Sequence, residues 1–234
     1  MQLHFLGRGA AFNPLEGNNS AYIMENDRLL LIDCGETVFE TLVKKGILEK
    51  AKTIDVLISH LHGDHCGSIG TLVLYAAERL RIPLNLVPPD EPAYREQIVA
   101  LLRLLGCREG MYEIILDREL TGYASFDSVR YVRTGHAPGM LCHSFVFETP
   151  EGGVFYSADT NDVAPLQAFL REHPTPEHIY LEAAYPAASV HLSLDVLDDV
   201  VPSALRSVTS LMHIGSQLCM DQAIQRGFQI VSVD

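Results

Sequence analysis

Long apolar runs are missing from this sequence. No uncharged stretch approaches the ~18 residues that a membrane-crossing helix needs. The opening residues, Met1-Gln2-Leu3-His4-Phe5-Leu6, show no basic run followed by a long apolar segment. The expectation is a cytoplasmic chain with no membrane attachment. Paired cysteines are missing too. The five cysteines stand singly at 34, 66, 107, 142 and 219 and form no Cys-x-x-Cys element. That pattern argues against both a disulfide framework and a thiolate zinc site. Cys66, next to His65, could be a soft ligand or a reactive thiol, but a small apolar filler is the expectation. Positive charge is scarce: 17 Lys and Arg stand against 30 Asp and Glu, a net charge of −13. Such a surface repels a polyanion over long range, which counts against a large nucleic-acid substrate. Gly7-Arg8-Gly9 lacks the spacing of a dinucleotide fingerprint, so no nucleotide cofactor is expected.

What is present is ordinary globular material, 47% apolar and 20% charged, with no repeat, low-complexity run or linker. The length suits one domain spanning residues 1–234. Apolar, β-branched stretches predict strands at 2–6, 21–25, 28–32, 53–58, 84–87, 112–116, 128–133, 143–148, 154–158, 179–181, 208–212 and 228–233. Asn26-Asp27 predicts a tight hairpin between the second and third of these. Helical spacing predicts helices near 37–45, 69–80, 94–105, 163–171, 194–200 and 217–226. Strands arrive in hairpin-like blocks separated by helices, in both halves of the chain. That order predicts two sheets with helices outside them.

The densest chemistry lies at Ser59-His60-Leu61-His62-Gly63-Asp64-His65-Cys66-Gly67, directly after an apolar strand. Imidazole nitrogen and carboxylate oxygen suit a divalent transition metal, zinc most often. Gly63 argues for a tight loop rather than a helix. Four ligands in so short a stretch strain a single tetrahedron, so two ions are expected. His60 and His62 would face one, and Asp64 and His65 the other. Three further apolar strands end in a ligand type: Val132-Arg133-Thr134-Gly135-His136, Phe155-Tyr156-Ser157-Ala158-Asp159 and Leu211-Met212-His213. Singly, each could be a cap or a satisfied core residue. Together they complete a site in which His60, His62 and His136 hold one ion, Asp64, His65 and His213 hold the other, and Asp159 bridges them.

The His-x-His-x-Asp-His segment, followed by His136, Ser157-Ala158-Asp159-Thr160 and Leu211-Met212-His213, resembles the metallo-β-lactamase fold superfamily over nearly the whole chain. The resemblance implies an α/β fold, a four-layer αββα sandwich with a dinuclear site at one edge. It also implies that Asp33, in Leu31-Ile32-Asp33-Cys34-Gly35, orients a histidine ligand. The plainer reading of Asp33 is a helix N-cap before Glu36. Flavodiiron-type proteins would carry a glutamate where His62 stands, which favours hydrolysis over redox chemistry. Glyoxalase II-like thioesterases add a C-terminal helical domain, and 21 residues follow His213. The segment Glu182 to Ser193 looks most like the phosphodiesterase and ribonuclease Z-like branch, in which a histidine helps with phosphate. His191 stands at that position, and otherwise reads as a surface histidine at a helix start. The tRNA-gripping arm of that branch has no counterpart, because only 23 positions separate His136 from Asp159.

The expectation is therefore a metal-dependent hydrolase of a small phosphodiester, a cyclic or short nucleotide, acting through metal-activated water. Asp64, Asp159 and His191 are the catalytic candidates. Two divalent ions are the expected cofactors, Zn first, with Mn or Fe as alternatives. A carboxylic ester, lactone or thioester hydrolase using the same site is the alternative enzyme. A metal-binding sensor or interaction protein is the reading from another class. The resemblance also implies a homodimer, although the apolar stripes at 69–80 and 98–105 are expected to serve core packing.

Overall fold

The computed structural model describes residues 1–233. Strands β1 (His4–Gly7), β2 (Ser20–Glu25), β3 (Arg28–Ile32), β4 (Thr53–Leu57), β5 (Leu84–Val87) and β6 (Glu113–Ile114) form one sheet in that order. The first three pair antiparallel, and from β3 onward the pairing is parallel. The second sheet repeats the plan: β7 (Ser128–Thr134), β8 (Cys142–Glu148) and β9 (Val154–Tyr156) form an antiparallel meander. Strands β10 (His178–Glu182), β11 (Thr209–Met212) and β12 (Gln229–Ile230) extend it in parallel. Parallel neighbours need crossovers, and helices supply most of them. In the first half these are α1 (Val38–Lys44), α2 (Gly63–Cys66), α3 (Ile69–Leu74), which runs on as a π-helical segment Tyr75–Leu80, and α4 (Pro92–Leu104). In the second half they are α5 (Ala164–Glu172), α6 (Leu194–Val200) and α7 (Gln217–Gln225).

Side-chain alternation assigns the layers. On β3, Leu29 and Leu31 pack outward with Val38, Leu42, Ile69, Leu72 and Ile98, while Leu30 and Ile32 pack inward. On β8, Phe145 and Phe147 point inward, and Val146 points outward among Leu166, Phe169 and Leu197. Both faces of each sheet are thus covered, which is why these strands read as near-continuous apolar runs. The result is the four-layer αββα sandwich. The stripes at 69–80 and 98–105 do line the outer core through Ile69, Leu72, Val73, Ala76, Ile98 and Leu102.

One charge lies inside the first sheet. Asp55 on β4 is fully buried and accepts from Arg28 (2.8 Å), Asn85 (2.7 Å) and the Tyr123 hydroxyl (2.6 Å). Three donors offset the cost of removing a carboxylate from water.

The Asn26-Asp27 hairpin is present, with φ of 51° and 60° at its two residues, the left-handed pair of a tight two-residue turn. One expectation fails. Gly63 does not keep its segment out of helix; it opens the single turn α2, with the His62 carbonyl accepting from the His65 and Cys66 amides at 3.0 and 2.9 Å. Tertiary contact outweighs propensity there, because the Cys34 amide donates to the His65 carbonyl at 2.7 Å and pins the turn. Among the described residues no helix is long and apolar enough to cross a membrane.

Candidate metal centre

The carboxyl ends of β3, β4, β7, β9, β10 and β11 meet at one edge of the sandwich, and the chain leaves each of them through a polar residue: Asp33, His60, His136, Asp159, Glu182 and His213. Three of these exits require a left-handed backbone in a residue with a side chain, with φ of 62° at Asp33, 49° at Ala158 and 54° at His213. Such conformations persist only where surrounding structure enforces them, and here all three lie beside the same cluster. Gly35 makes the approach possible on the other side, since a Cβ there would collide with the Asp64 carbonyl.

The seven sequence-predicted ligand positions converge. His60, His62, His136 and Asp159 form one group, and Asp64, His65, His213 and Asp159 form a second, with Asp159 common to both. His60 Nε2 and His136 Nε2 lie 3.0 and 3.3 Å from His62 Nδ1. In the second group Asp64 Oδ2 is 3.3 Å from both His65 Nε2 and His213 Nε2. Asp159 Oδ1 is 3.3 Å from His65 Nε2, and its Oδ2 is 3.3 Å from His213 Nε2. Donor atoms bonded at about 2.0–2.1 Å around a tetrahedral ion stand roughly 3.3 Å from one another.

The far nitrogens are committed elsewhere, which settles which one faces the cluster. His136 Nδ1 donates to the Val190 carbonyl at 2.7 Å, and His65 Nδ1 donates to Asp33 Oδ2 at 2.8 Å. His213 Nδ1 is 3.5 Å from Glu182 Oε2, and His60 Nδ1 is 3.0 Å from the Ser59 hydroxyl. Once deprotonated on that side, each inward nitrogen would present a lone pair to the cluster. Two buried atoms, His65 Nε2 and Asp159 Oδ1, have no hydrogen-bond partner at all. Orphaned acceptors of this kind are expensive unless a cation satisfies them. The donor set therefore fits metal.

The electrostatics agree. Burial, reinforced by His65, pushes the His60 imidazole well below its ordinary value, and burial with His136 lowers His62. Both rings thus stay neutral and able to ligate. For His65 and His213 burial acts downward, but the carboxylates together outweigh it, Asp159 and Asp33 for His65 and Asp159, Asp64 and Glu182 for His213, and raise both, His213 to about 10. Asp159 and Asp64 stay ionised: burial opposes this, and the surrounding histidines prevail. A cation bound by the second group would take the place of protons on His65 and His213.

Asp33 is not a helix N-cap; Thr37 occupies that position in α1. Its carboxylate accepts from His65 Nδ1 and from the Ser59 amide (2.7 Å) and hydroxyl (2.8 Å), so it braces the histidine segment from behind. Cys66 is the apolar filler expected, packed in the outer core with its thiol pushed up to about 12 by burial. His191 stands beside the cluster, its Nδ1 2.6 Å from Glu182 Oε2 and 3.9 Å from Asp159 Oδ2. Glu182 went unassigned in the sequence although β10 ends in it as the other strands end in ligand types. It is fully buried and reaches His191, His213 and the Thr160 amide. A cleft of about 430 Å³ opens onto the centre, bordered by His62, Asp64, His136, Asp159, His191 and His213 and, at its rim, by Ala10, Phe12 and Glu36.

Comparison with known proteins agrees with the fold. Residues 1–91 match the family model described as anti-Pycsar protein Apyc1. Anti-Pycsar protein Apyc1 of Paenibacillus sp. (strain J14) is 29% identical over 237 residues, covering 93% of this chain and 91% of that protein. Among solved structures, the metallo-β-lactamase fold protein YhfI from Bacillus subtilis superposes with a TM-score of 0.73 at 18% identity, covering 99% of this chain and 95% of that one. A diphosphatase from the PhnP family gives a TM-score of 0.72 at 15% identity, covering 99% and 94%.

Proposed function

We propose that the chain, which shares its fold with the metallo-β-lactamase fold protein YhfI, is a member of that superfamily and a dinuclear metal-dependent hydrolase of a small phosphodiester, a cyclic or short nucleotide. The observation that carries this reading is the pair of donor groups sharing Asp159, with the His191–Glu182 pair beside them. His60, His62 and His136 would hold one ion, Asp64, His65 and His213 the other, with Asp159 between them. Zinc suits this histidine and carboxylate set best, and manganese or iron are admissible. When bound, two such cations bring the pKa of a water molecule toward neutrality and take up charge on phosphate oxygens.

The chain's own groups supply the rest. Asp64 and Asp159 keep their negative charge in the buried floor of the cleft, so two carboxylates are available there to a cation. His191 presents its ring at the cleft, with Nδ1 held by the buried Glu182 carboxylate. Burial lowers its proton affinity, yet Glu182 more than compensates, so the imidazolium is favoured relative to an ordinary histidine. An imidazolium in that place can donate to a phosphate oxygen or protonate a departing alkoxide. Substrate size follows from the cleft and its surroundings. The β7–β8 connection holds only residues 135–141, with no room for an arm that would grip folded RNA. The net charge of −13 works against large polyanions as well. The PhnP-family neighbour is named for a diphosphatase activity, which supports phosphoryl rather than carboxyl chemistry.

The test is metal analysis of the purified protein, followed by a panel of 3′,5′-cyclic nucleotides and bis-para-nitrophenyl phosphate against para-nitrophenyl acetate, lactones and thioesters. About two metals per chain and turnover confined to the phosphodiesters are expected. Turnover on the carboxyl substrates alone would replace this reading with a carboxylic ester hydrolase. Two bound metals with no turnover on any substrate would favour a sensor.

A further inference from the structure

Phe12 is 99% exposed and stands at the rim of the cleft that opens onto the metal centre. A lone exposed phenylalanine is unremarkable on a flexible loop. This one sits on a braced turn. The Asn13 amide donates to the Ala10 carbonyl at 2.9 Å, closing a four-residue turn with Phe12 in its third position. Ala10 and the Asn13 side chain both donate to the Ile214 carbonyl, at 3.1 and 2.9 Å, and the Ile214 amide returns a bond to Arg8 at 2.7 Å. Behind the turn, Arg8 pairs with Glu16 at 2.6 Å and the Gly9 amide donates to Gly17 at 2.7 Å. Ile214 directly follows His213, so the turn is indexed to the donor cluster itself. The backbone that carries this ring at the cleft rim is thereby held in place.

The rest of the lining says what that face is for. Among the described residues no lysine or arginine borders this cleft. A substrate with several phosphates would find nothing on the rim to offset them, so the anionic part must go to the floor and a neutral part to the rim. The second rim group is Glu36, an exposed carboxylate close to Gly63, whose hydrogen-bond capacity is that of an acceptor. It repels phosphate and receives hydroxyl or amino donors. An aromatic plane with an adjacent acceptor complements a nucleoside.

We propose that Phe12 and Glu36 form the nucleoside subsite of this cleft, Phe12 stacking on the base and Glu36 accepting from the sugar hydroxyls or the base edge. This rests on the phosphodiester reading above and assigns the part of the cleft that would take the nucleoside. Stacking is tolerant of base identity, so the subsite selects nucleotides over simple alkyl phosphodiesters without choosing strongly among bases.

The chain has no tryptophan, so Phe12→Trp introduces a single indole, excited selectively over tyrosine, at the subsite. The metal-loaded variant is titrated with nucleoside 5′-monophosphates and with ribose 5-phosphate. Saturable quenching by the nucleotides, and none by ribose 5-phosphate, is expected. In parallel, Phe12→Ala is expected to weaken nucleotide binding by roughly 5- to 150-fold relative to ribose 5-phosphate and to raise KM for cyclic nucleotides more than it lowers kcat. Saturating nucleotide with unchanged indole emission overturns the subsite. So does an emission change that follows protein concentration instead of nucleotide, since a second copy would then cover Phe12. If the unmodified protein hydrolyses bis-para-nitrophenyl phosphate while the indole stays silent, the subsite fails alone. If it hydrolyses no phosphodiester and binds no nucleotide, the phosphodiester reading fails and the subsite falls with it.

Discussion

Asp33 Oδ2 accepts a 2.8 Å hydrogen bond from His65 Nδ1, and the same carboxylate receives both the amide and the hydroxyl of Ser59. One buried side chain at the end of β3 thus fixes the tautomer of a candidate ligand and the path of the strand exit that carries His60. The backbone at Asp33 is left-handed, a conformation that asparagine also tolerates. Asp33→Asn therefore keeps the turn while placing an amide against donors. Metal affinity is expected to fall about 10- to 100-fold, read by competition with a chromophoric chelator. Wild-type affinity in the variant would show that His65 needs no such brace.

His191 is held by Glu182 and borders the cleft; it shares a third donor group with Asp159, Glu182 and His213, but not the two groups that take in all seven ligand candidates. His191→Ala is expected to retain the metal content of the parent while kcat on a phosphodiester falls by about 10²- to 10⁴-fold, the range ordinary for loss of a positioned proton donor. Elemental analysis and steady-state kinetics on the same preparation separate the two effects. Equal turnover would remove His191 from the reaction, and lost metal would make it a ligand.

The inner core offers a structural check. Phe145 is fully buried between the sheets, its ring 4.8 Å from that of Tyr131 and 6.0 Å from that of Tyr156. Truncation there leaves a cavity walled by two sheets that cannot easily collapse. Phe145→Ala is expected to cost about 3–5 kcal/mol, measured by denaturant unfolding at fixed metal. A cost under about 1 kcal/mol would mean the sheets repack around the gap.

Much of this arrangement was legible in the sequence because its grammar is local. Apolar runs give strands, and a ligand type directly after such a run marks a strand exit; that rule alone finds His60, His136, Asp159 and His213. Residues whose meaning depends on distant partners were less legible. Glu182 follows the same rule, yet a glutamate after a strand reads as surface until His191 and His213 are seen to meet it. Asp55 interrupts an apolar run for no local reason, since its donors come from β3, β5 and the segment around Tyr123. The turn α2 opens with a glycine and exists because Cys34 and Asp33 hold it from outside. Phe12 lies in a stretch whose Asn, Pro and Gly content signals a loop, and only the tether to Ile214 separates a platform from a loose tip.

His178 gives a pH dependence remote from the metal centre. Its ring packs 4.4 Å from that of Tyr180, and its Nε2 lies 3.0 Å from the Ser210 hydroxyl on the neighbouring strand. Burial lowers its pKa from the usual 6.5 to about 4, so the folded protein holds it neutral over a range in which an unfolded chain would protonate it. Below pH 6.5 the unfolded state binds more protons at this position than the folded state does, and stability falls with falling pH. The contribution is fully present above the unfolded value and is lost as pH drops through the folded one. His178→Gln keeps a polar side chain and removes the titration. Its unfolding free energy is expected to decline less steeply than the parent's between pH 6.5 and 4, with the carboxylate contributions common to both cancelling in the comparison. The His178 ring resonance in NMR should correspondingly titrate near the lower end of that interval. Parallel stability curves for the two proteins, or a ring that titrates at an ordinary histidine value, would place His178 in contact with water and end this account.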